Sequence, residues 1–307
     1  MTDNISKNRC DELVTVIALC YNQSRFLRKT LDNIMAQTWR PGHFYIIDDG
    51  STDNSVELIN EWLEENGHPA TLIVHEKNQG ITRTMNHALS LCKTKYFHPW
   101  PCDDLMMPDK IESQVTYMES LDWQPGFLYG DIQWIDNEDK VLRDSVVTNR
   151  KKLFEDGQMP SGFVFPELIK HGCFIPTASG LYVTKVLHDL GGFDEKLFAE
   201  DWDMFIRISL HSGIAYKEQV FSKYRRHEHS AEMKKGENYW KGRFLVLSKY
   251  LGISTEYDAL IWKRIGEYAL GAYEEGFSEA GQWLWKAFKN THDYRLLYYY
   301  LRLKFRV

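Results

Sequence analysis

Four times in the first 104 residues a short apolar run breaks off into polar residues, and the first three breaks lead into a helix-patterned stretch. The run at 13–20 is almost wholly apolar and rich in β-branched residues, as a strand buried on both faces must be. It ends at Tyr21-Asn22, after which Ser24 is placed to cap a helix with Phe26, Leu27, Leu31, Ile34 and Met35 on one face. The second run, 44–47, ends in Asp48-Asp49-Gly50-Ser51-Thr52-Asp53 and precedes a helix carrying Val56, Leu58, Ile59, Trp62 and Leu63, which Gly67 is placed to terminate. The third, 71–75, passes through Asn78-Gln79-Gly80 to a helix near 83–91, and the fourth, 96–101, stops at Cys102-Asp103-Asp104. Strands alternating with helices imply a parallel, doubly wound sheet with right-handed crossovers. The strand ends then collect along one edge, where ligands of open α/β sheets bind.

That edge carries Tyr21, Asn22, Asp48, Asp49, Asn78 and the pair Asp103-Asp104. Each is also ordinary turn or cap chemistry; what favours a ligand site is the recurrence of such groups at every successive strand end. An aromatic ring that stacks on a base, with carboxylates that hold base or ribose donors, outlines a nucleotide pocket. Mg²⁺ and Mn²⁺ take one or two protein carboxylates and complete their shell with phosphate oxygens, which makes the Asp pair a candidate cation site. No GxGxxG follows the first strand and no GxxxxGK[ST] occurs, so dinucleotide and P-loop sites are set aside.

Further along, a helix is expected from Pro108, in its first position, to about residue 121, followed by a strand over 127–134 and a polar loop or ribbon over 137–160. The turn-rich stretch 171–180 leads to a strand-like 181–183 and then Gly191-Gly192-Phe193-Asp194. Glu200-Asp201-Trp202-Asp203 opens a helix with Met204, Phe205, Ile208 and Leu210. Acids in a first helical turn are favoured by the helix dipole, and they also suit a general base. A strand over 215–221 precedes Tyr224-Arg225-Arg226-His227-Glu228-His229-Ser230, whose cations suit a diphosphate.

Net charge −6, with no Lys/Arg cluster in the first 220 residues, argues against nucleic acid as partner. Five scattered cysteines without CxxC spacing suggest neither a disulfide framework nor zinc, and fit a reducing cytosol. The N-terminus lacks the layout of a signal peptide and no apolar run reaches the roughly 18 residues of a spanning helix. A cytoplasmic location follows, with peripheral placement on the inner face of a membrane as its variant. The sequence divides into a flexible 1–12, a domain over 13–236 (nucleotide-binding to about 125, acceptor and catalytic beyond) and a helical region over 237–307. Helices are expected there over 239–251, 257–273, 279–288 and 294–305; the last mixes aromatics with cations and suits either core packing or an anionic membrane surface.

Six pieces, in order, resemble the family 2 glycosyltransferases of the GT-A fold over about residues 13–230. They are 16–22 with its terminal Tyr21-Asn22, Ile47 through the Asp48-Asp49-Gly50-Ser51 turn, and Asn78-Gln79-Gly80 with Asn86. Then come Cys102-Asp103-Asp104 with Pro108-Asp109, Gly191-Gly192-Phe193-Asp194, and Glu200-Asp201-Trp202-Asp203 with Arg207. The resemblance implies an α/β chain with a Rossmann-like, mostly parallel sheet flanked by helices and a C-terminal α-helical extension. It implies inverting transfer of a single sugar from a nucleoside diphosphate sugar, a UDP-hexose by preference, to a sugar or lipid-linked saccharide acceptor in bacterial surface-polysaccharide or glycoconjugate synthesis. By the same resemblance Tyr21 would stack on the base, Asp49 would accept from base or ribose, and Asp201 would be the catalytic base. Asp103, with His229, would hold Mn²⁺ or Mg²⁺, and Arg226 and His227 would lie near the diphosphate. Leu19, Asn22, Asn78, Gly80, Asn86, Cys102 and Glu200 would complete the donor site.

The chain departs from the family pattern at Pro101, where an Asp is frequent, and at Met85, where an Arg is. Gln282-Trp283-Leu284-Trp285-Lys286 is similar to the QxxRW signature of processive synthases only superficially, because the order is wrong, and single addition is favoured. Two other readings stay open. A sugar-phosphate nucleotidyltransferase should carry a Gly- and Lys/Arg-rich loop where Tyr21-Asn22-Gln23-Ser24 stands, and a non-catalytic sugar-nucleotide-binding module would keep the pocket without turnover. Oligomeric state is left open.

Overall fold

A computed structural model describes residues 13–227 and 236–305, which divide into two compact units. The first holds the described residues through Val164 together with Phe174–Phe193 and Met204–His227; the second holds Phe165–Cys173, Asp194–Asp203 and the residues from 236 onward. The expected flexible segment 1–12 lies outside the described residues.

In the first unit β1 (Val14–Cys20) pairs in parallel with β2 (His43–Asp48) on one side and β4 (Tyr96–Pro101) on the other, and β3 (Thr71–Val74) extends the row beyond β2. The crossover helices are α1 (Ser24–Met35), α2 (Ser55–Glu65) and α3 (Ile81–Leu91). The pairings Cys20 with Asp48 and Leu19 with Pro101 bring three strand ends level, so the residues that follow them leave the sheet along the same edge. Val14, Val16, Ala18 and Cys20 share a core with Leu27, Leu31 and Ile34 of α1 and Ile59 and Trp62 of α2. Each large side chain buried there contributes about 1.5–3 kcal/mol.

The parallel pattern stops at β4. Beyond it β8 (Leu181–Val183) runs antiparallel to both β4 and β6 (Phe127–Ile135), while β9 (Ile214–Arg225) is parallel to β6. Two short strands, β5 (Leu105–Met106) on β9 and β7 (Val141–Arg143) on β6, complete a mixed sheet of order β3-β2-β1-β4-β8-β6-β9-β5 with β7 beside β6. Helices α4 (Lys110–Ser120) and α6 (Thr184–Asp189) belong to this unit; α5 (Phe165–His171) belongs to the second, as does the first turn of α7 (Glu200–His211).

Two expected helix starts are corrected. Ser24 is the first residue of α1, not its cap; Gln23 holds the cap position, and the Ser24 N–H is met by Asp53 Oδ2 at 3.1 Å from the loop after β2. Pro108 lies outside α4, which begins after Asp109, because the Pro108 carbonyl is engaged by the Thr38 N–H at 3.0 Å. The stretch expected as loop or ribbon contains β7 and a 3₁₀ turn at Thr148–Leu153, and β9 runs four residues past the expected strand end.

The second unit is helical: α5 with α8 (Glu237–Lys249), α9 (Thr255–Glu274), α10 (Ala280–Thr291) and α11 (Tyr294–Phe305). Ser254 caps α9 by accepting from the Tyr257 N–H at 3.2 Å. Phe244 of α8 stacks on Trp283 of α10 at 4.4 Å, and Phe165 of α5 meets Tyr257 edge-on at 4.8 Å. Packing thus divides the chain differently from a boundary at residue 236, since 165–173 and 194–203 side with the C-terminal helices. Among the described residues no helix is long and apolar enough to cross a membrane.

Candidate active site

Asp103 stands in the turn after β4 with its side chain 17% exposed. Its Oδ2 lies 3.1 Å from His227 Nε2 and accepts from Gln23 Nε2 at 3.3 Å, while its carbonyl accepts from Arg225 Nε at 2.8 Å. Asp104 points the other way. Its Oδ1 accepts the Arg225 N–H at 2.8 Å, and Oδ2 is buried without a hydrogen-bond partner. Burial, and then the charge of Asp103, hold the Asp104 carboxyl well above the usual range. The expected pair of metal carboxylates is therefore corrected to one, because adjacent side chains in this turn face opposite sides, one toward solvent and one into the core.

Asp103 and His227 fit a divalent ion. A carboxylate oxygen and an imidazole nitrogen 3.1 Å apart suit Mn²⁺ better than Mg²⁺, which favours oxygen ligands, and no group of three or more His, Cys, Asp or Glu among the described residues forms a closed cage. Phosphate oxygens would have to supply the rest of the shell. His229 lies outside the described residues.

Asp49 is buried at the end of β2. Its Oδ1 accepts from the Gln79 N–H at 3.0 Å and lies 2.8 Å from His75 Nδ1, and its Oδ2 accepts from the Gly80 N–H at 3.0 Å. With about four acceptor sites on a carboxylate, about one remains, on Oδ2. His75 continues to His87, Nε2 to Nδ1 at 2.8 Å, with the rings stacked. Burial and then the neighbouring His75 lower the pKa of His87. Gly50 is required where the loops after β2 and β3 cross: φ is +72°, and a Cβ would stand 2.6 Å from the Lys77 carbonyl carbon.

Several residues expected in the donor site also hold the frame. Asn22, at φ +53°, accepts on Oδ1 from the Thr52 N–H at 2.8 Å and so ties the end of β1 to the loop after β2. The Leu19 carbonyl takes the Cys102 N–H at 3.1 Å, and the Cys102 thiol is fully buried, its pKa raised by the neighbouring Cys20 and by burial. Asn86 grips the Phe193 backbone at both ends, Nδ2 to its carbonyl at 2.9 Å and Oδ1 from its N–H at 2.8 Å. Arg207 holds the Leu190 and Gly192 carbonyls at 2.9 and 2.8 Å, so the GGF turn, Asn86 and Arg207 form one clamp. Asn78 accepts from the Gly80 N–H at 2.8 Å, and the Arg226 guanidinium lies 4.3 Å from the centre of the Trp134 ring. Tyr21 keeps 43% of its surface exposed.

In the second unit the acidic run sorts itself by partner. Asp203, fully buried, accepts from Tyr250 Oη at 2.7 Å and pairs with Lys249 at 3.0 Å. Asp201 accepts the Trp202 N–H on Oδ1 at 2.7 Å and lies 3.9 Å from the Cys173 thiol through Oδ2. Burial and the adjacent Asp201 raise the Glu200 carboxyl to about 7. Asp103 and Asp201 belong to different units.

Gln23, Arg225 and His75 carry contacts that sequence reasoning did not assign. Arg225 lay inside the basic run 224–230, which was the only signal for it; Gln23 and His75 sit beside motifs but at no motif spacing.

The family model for glycosyl transferase family 2 matches residues 15–145. A glycosyltransferase of Rickettsia felis, itself uncharacterised, is 28% identical over 249 residues, spanning 80% of this chain and 39% of that protein. Chondroitin synthase of Pasteurella multocida is 26% identical over 243 residues, 78% of this chain and 23% of the synthase. The chain thus covers well under half the length of both relatives. Among solved structures, S. aureus TarS 1-349 in complex with UDP-GlcNAc superposes with a TM-score of 0.67 at 15% identity, over 90% of this chain and 79% of that one. Mannosyltransferase PcManGT from Pyrobaculum calidifontis, in complex with GDP-Man and Mn²⁺, gives 0.61 at 15% identity, over 94% and 83%. These likenesses establish the fold, a mostly parallel GT-A-type sheet flanked by helices. The strand-end motifs, the sheet and the relatives thus agree in one likeness, to glycosyl transferase family 2, whose model matches residues 15–145 of this chain.

Proposed function

We propose that the protein transfers one sugar from a nucleoside diphosphate sugar, a UDP-hexose, to the hydroxyl of a sugar or lipid-linked saccharide, with inversion at the anomeric carbon. The process served is bacterial surface-polysaccharide or glycoconjugate synthesis, at a cytoplasmic location that includes the inner face of the membrane. The observation that carries the reading is the Asp103–His227 pair, 3.1 Å apart, at the edge where β1, β2 and β4 end level. The donor and ion named for the TarS and PcManGT complexes support the same substrate class and a divalent cation.

In this reading the exposed Tyr21 ring stacks on the base, and the remaining acceptor site of Asp49 takes a donor from base or ribose. Asp103 and His227 hold Mn²⁺ or Mg²⁺, which when bound stabilises the charge that develops on the leaving diphosphate. Asp201 accepts the proton of the attacking hydroxyl. Glu200, neutral below about pH 7, keeps a second negative charge away from it. The division at about residue 125 between nucleotide-binding and acceptor parts belongs to the same proposal.

The test is a thermal-shift screen of sugar nucleotides with and without Mn²⁺, followed by turnover with the donor it selects. Asp103→Ala should lose the metal-dependent part of the shift. Asp201→Asn should keep the shift and lose at least about 10²-fold in rate, the scale of general-base catalysis. No response to any sugar nucleotide, or an undiminished rate in Asp201→Asn, overturns the proposal.

A further inference from the structure

Helix α11 packs into the second unit by one face and leaves the opposite face bare. On the packed face Leu296 is buried against Gly266 of α9, where a Cβ would stand 2.9 Å from Leu296 Cδ1. Tyr299 meets Tyr273 of α9 at 5.0 Å and Tyr300 stacks on Trp285 of α10 at 5.1 Å. On the other face Tyr294, Tyr298, Leu301 and Phe305 are 74, 56, 40 and 64% exposed. Their spacing of four, three and four residues confines them to an arc of about 60° at about 100° per residue. Arg295 and Arg302 flank this stripe on one side and Lys304 on the other, each about 70–90° from its centre by the same geometry.

Helices α10 and α11 are cationic although the chain as a whole carries −6, and the acid of α9 that acts on α11, Glu267, lies near Arg295 rather than near Arg302 and Lys304 on the last turn. Neither α10 nor α11 contains an acidic residue, α10 adds Lys286 and Lys289, and Asp293 between them is paired with Arg295 at 2.6 Å. The partner that fits must therefore be apolar along one helix width and anionic on both sides of it. Tyrosines, with an apolar body and a polar tip, favour a boundary between the two, and Lys and Arg stems reach from such a boundary to charged groups.

We propose that this face of α11 docks on an anionic bilayer. The helix lies in the surface plane, with Tyr294, Tyr298, Leu301 and Phe305 at the level where headgroups meet acyl chains and with Arg302 and Lys304 at the lipid phosphates. A second copy of the chain is the poorer occupant, because α11 against α11 would set Arg302 and Lys304 near like charges. The docking is independent of the sugar-transfer reading and stands or falls without an activity measurement.

The experiment is flotation of the 307-residue protein with vesicles of phosphatidylcholine alone and of phosphatidylcholine with phosphatidylglycerol. The wild type should float only with the anionic vesicles and be released by high salt. Arg302→Gln with Lys304→Gln should weaken binding about 20- to 30-fold, at about fivefold per cation near an anionic surface. Tyr298→Ser with Phe305→Ser should abolish flotation without lowering the melting temperature, since both side chains face solvent. Failure of the wild type to float with anionic vesicles, or flotation of both variants like the wild type, overturns the proposal. So does a dimer in light scattering that the Tyr298→Ser, Phe305→Ser variant disperses while no vesicle binding is seen, which would make the face a contact between copies.

Discussion

Replacing Arg225 by alanine removes a guanidinium that is 1% exposed and holds three separate parts of the first unit. Nε donates to the Asp103 carbonyl at 2.8 Å, Nη1 to the Asp136 carbonyl at 2.5 Å and Nη2 to the Asp139 carboxylate at 2.5 Å, while the group lies 4.4 Å from the centre of the Phe26 ring. The two carbonyls lose their charged donor, at about 1.5 kcal/mol each, the low end for a hydrogen bond to a charged group. Asp139 is 20% exposed and keeps Lys29 as a partner, so its share is about 1 kcal/mol or less. Loss of the contact with Phe26 adds about 0.5–1 kcal/mol. Together these give about 3–5 kcal/mol, the same scale as breaking a buried ion pair by removing one member.

Because the chain has two compact units, the transition to follow is that of the sheet, read by hydrogen exchange at the β4 and β9 amides during urea unfolding. At a slope near 3 kcal/mol/M the midpoint should fall by more than about 1 M. Arg225→Lys should recover less than half of the loss, since a single ammonium cannot span three acceptors that a planar fork reaches at once. Affinity for Mn²⁺ in the presence of donor should also drop about tenfold or more, as it does when the support of a metal ligand is removed. A loss below about 1 kcal/mol in Arg225→Ala would show that the turn carrying Asp103 is held by something else.

Glu200 gives a pH dependence of definite sign. Its carboxyl is raised from 4.5 to about 7 in the folded chain, so the stabilisation it provides is complete below about pH 4.5 and is lost as pH rises through 7. Glu200→Gln should match the wild type near pH 4.5 and exceed it above about pH 7 by up to ~3 kcal/mol; equal urea midpoints at about pH 8 would refute the shift. Gly180→Ala places a Cβ 1.8 Å from Phe127 Cζ, and that ring is already wedged between Tyr182 at 4.4 Å and Phe205 at 4.8 Å. The cost should be about 1–3 kcal/mol or more, visible as a lower melting temperature, and an unchanged one would mean the ring stack has room to move.

The parallel half of the sheet was legible because strands buried on both faces are written as continuous apolar runs, and β1 is such a run. The mixed half was less so. β5 is two residues long, too short to show a period, and β7 is exposed throughout, whereas β8 falls on the expected 181–183. The pairing of β6 with β9 joins residues about 90 apart, such as Ile135 and Arg225, and leaves no local trace. Family motifs marked Asn86, Gly192 and Arg207 without saying what they do. Their positions are constrained because each closes on the same turn: a Cβ on Gly192 would stand 2.7 Å from Asn86 Oδ1.

Within the basic run 224–230 the described residues 225–227 divide in a way that residue types alone do not show. Read as composition, it is a cationic clamp for a diphosphate. β9 ends at Arg225, and its pairing with Ile135 sets the side that Arg225 takes, while Arg226 and His227 follow beyond the strand. Arg225 turns inward to the Asp103 carbonyl, Arg226 turns out over Trp134, and His227 returns to the Asp103 carboxylate. Two of the three thus converge on Asp103 itself, one on its backbone and one on its side chain, and the third rests on an aromatic ring. In the proposed reaction Arg225 is committed to holding the Asp103 turn, which leaves the charge of the leaving diphosphate to the ion proposed at Asp103 and His227. Donor binding that survives removal of Mn²⁺ and Mg²⁺ undiminished would contradict that chain of reasoning at its first link.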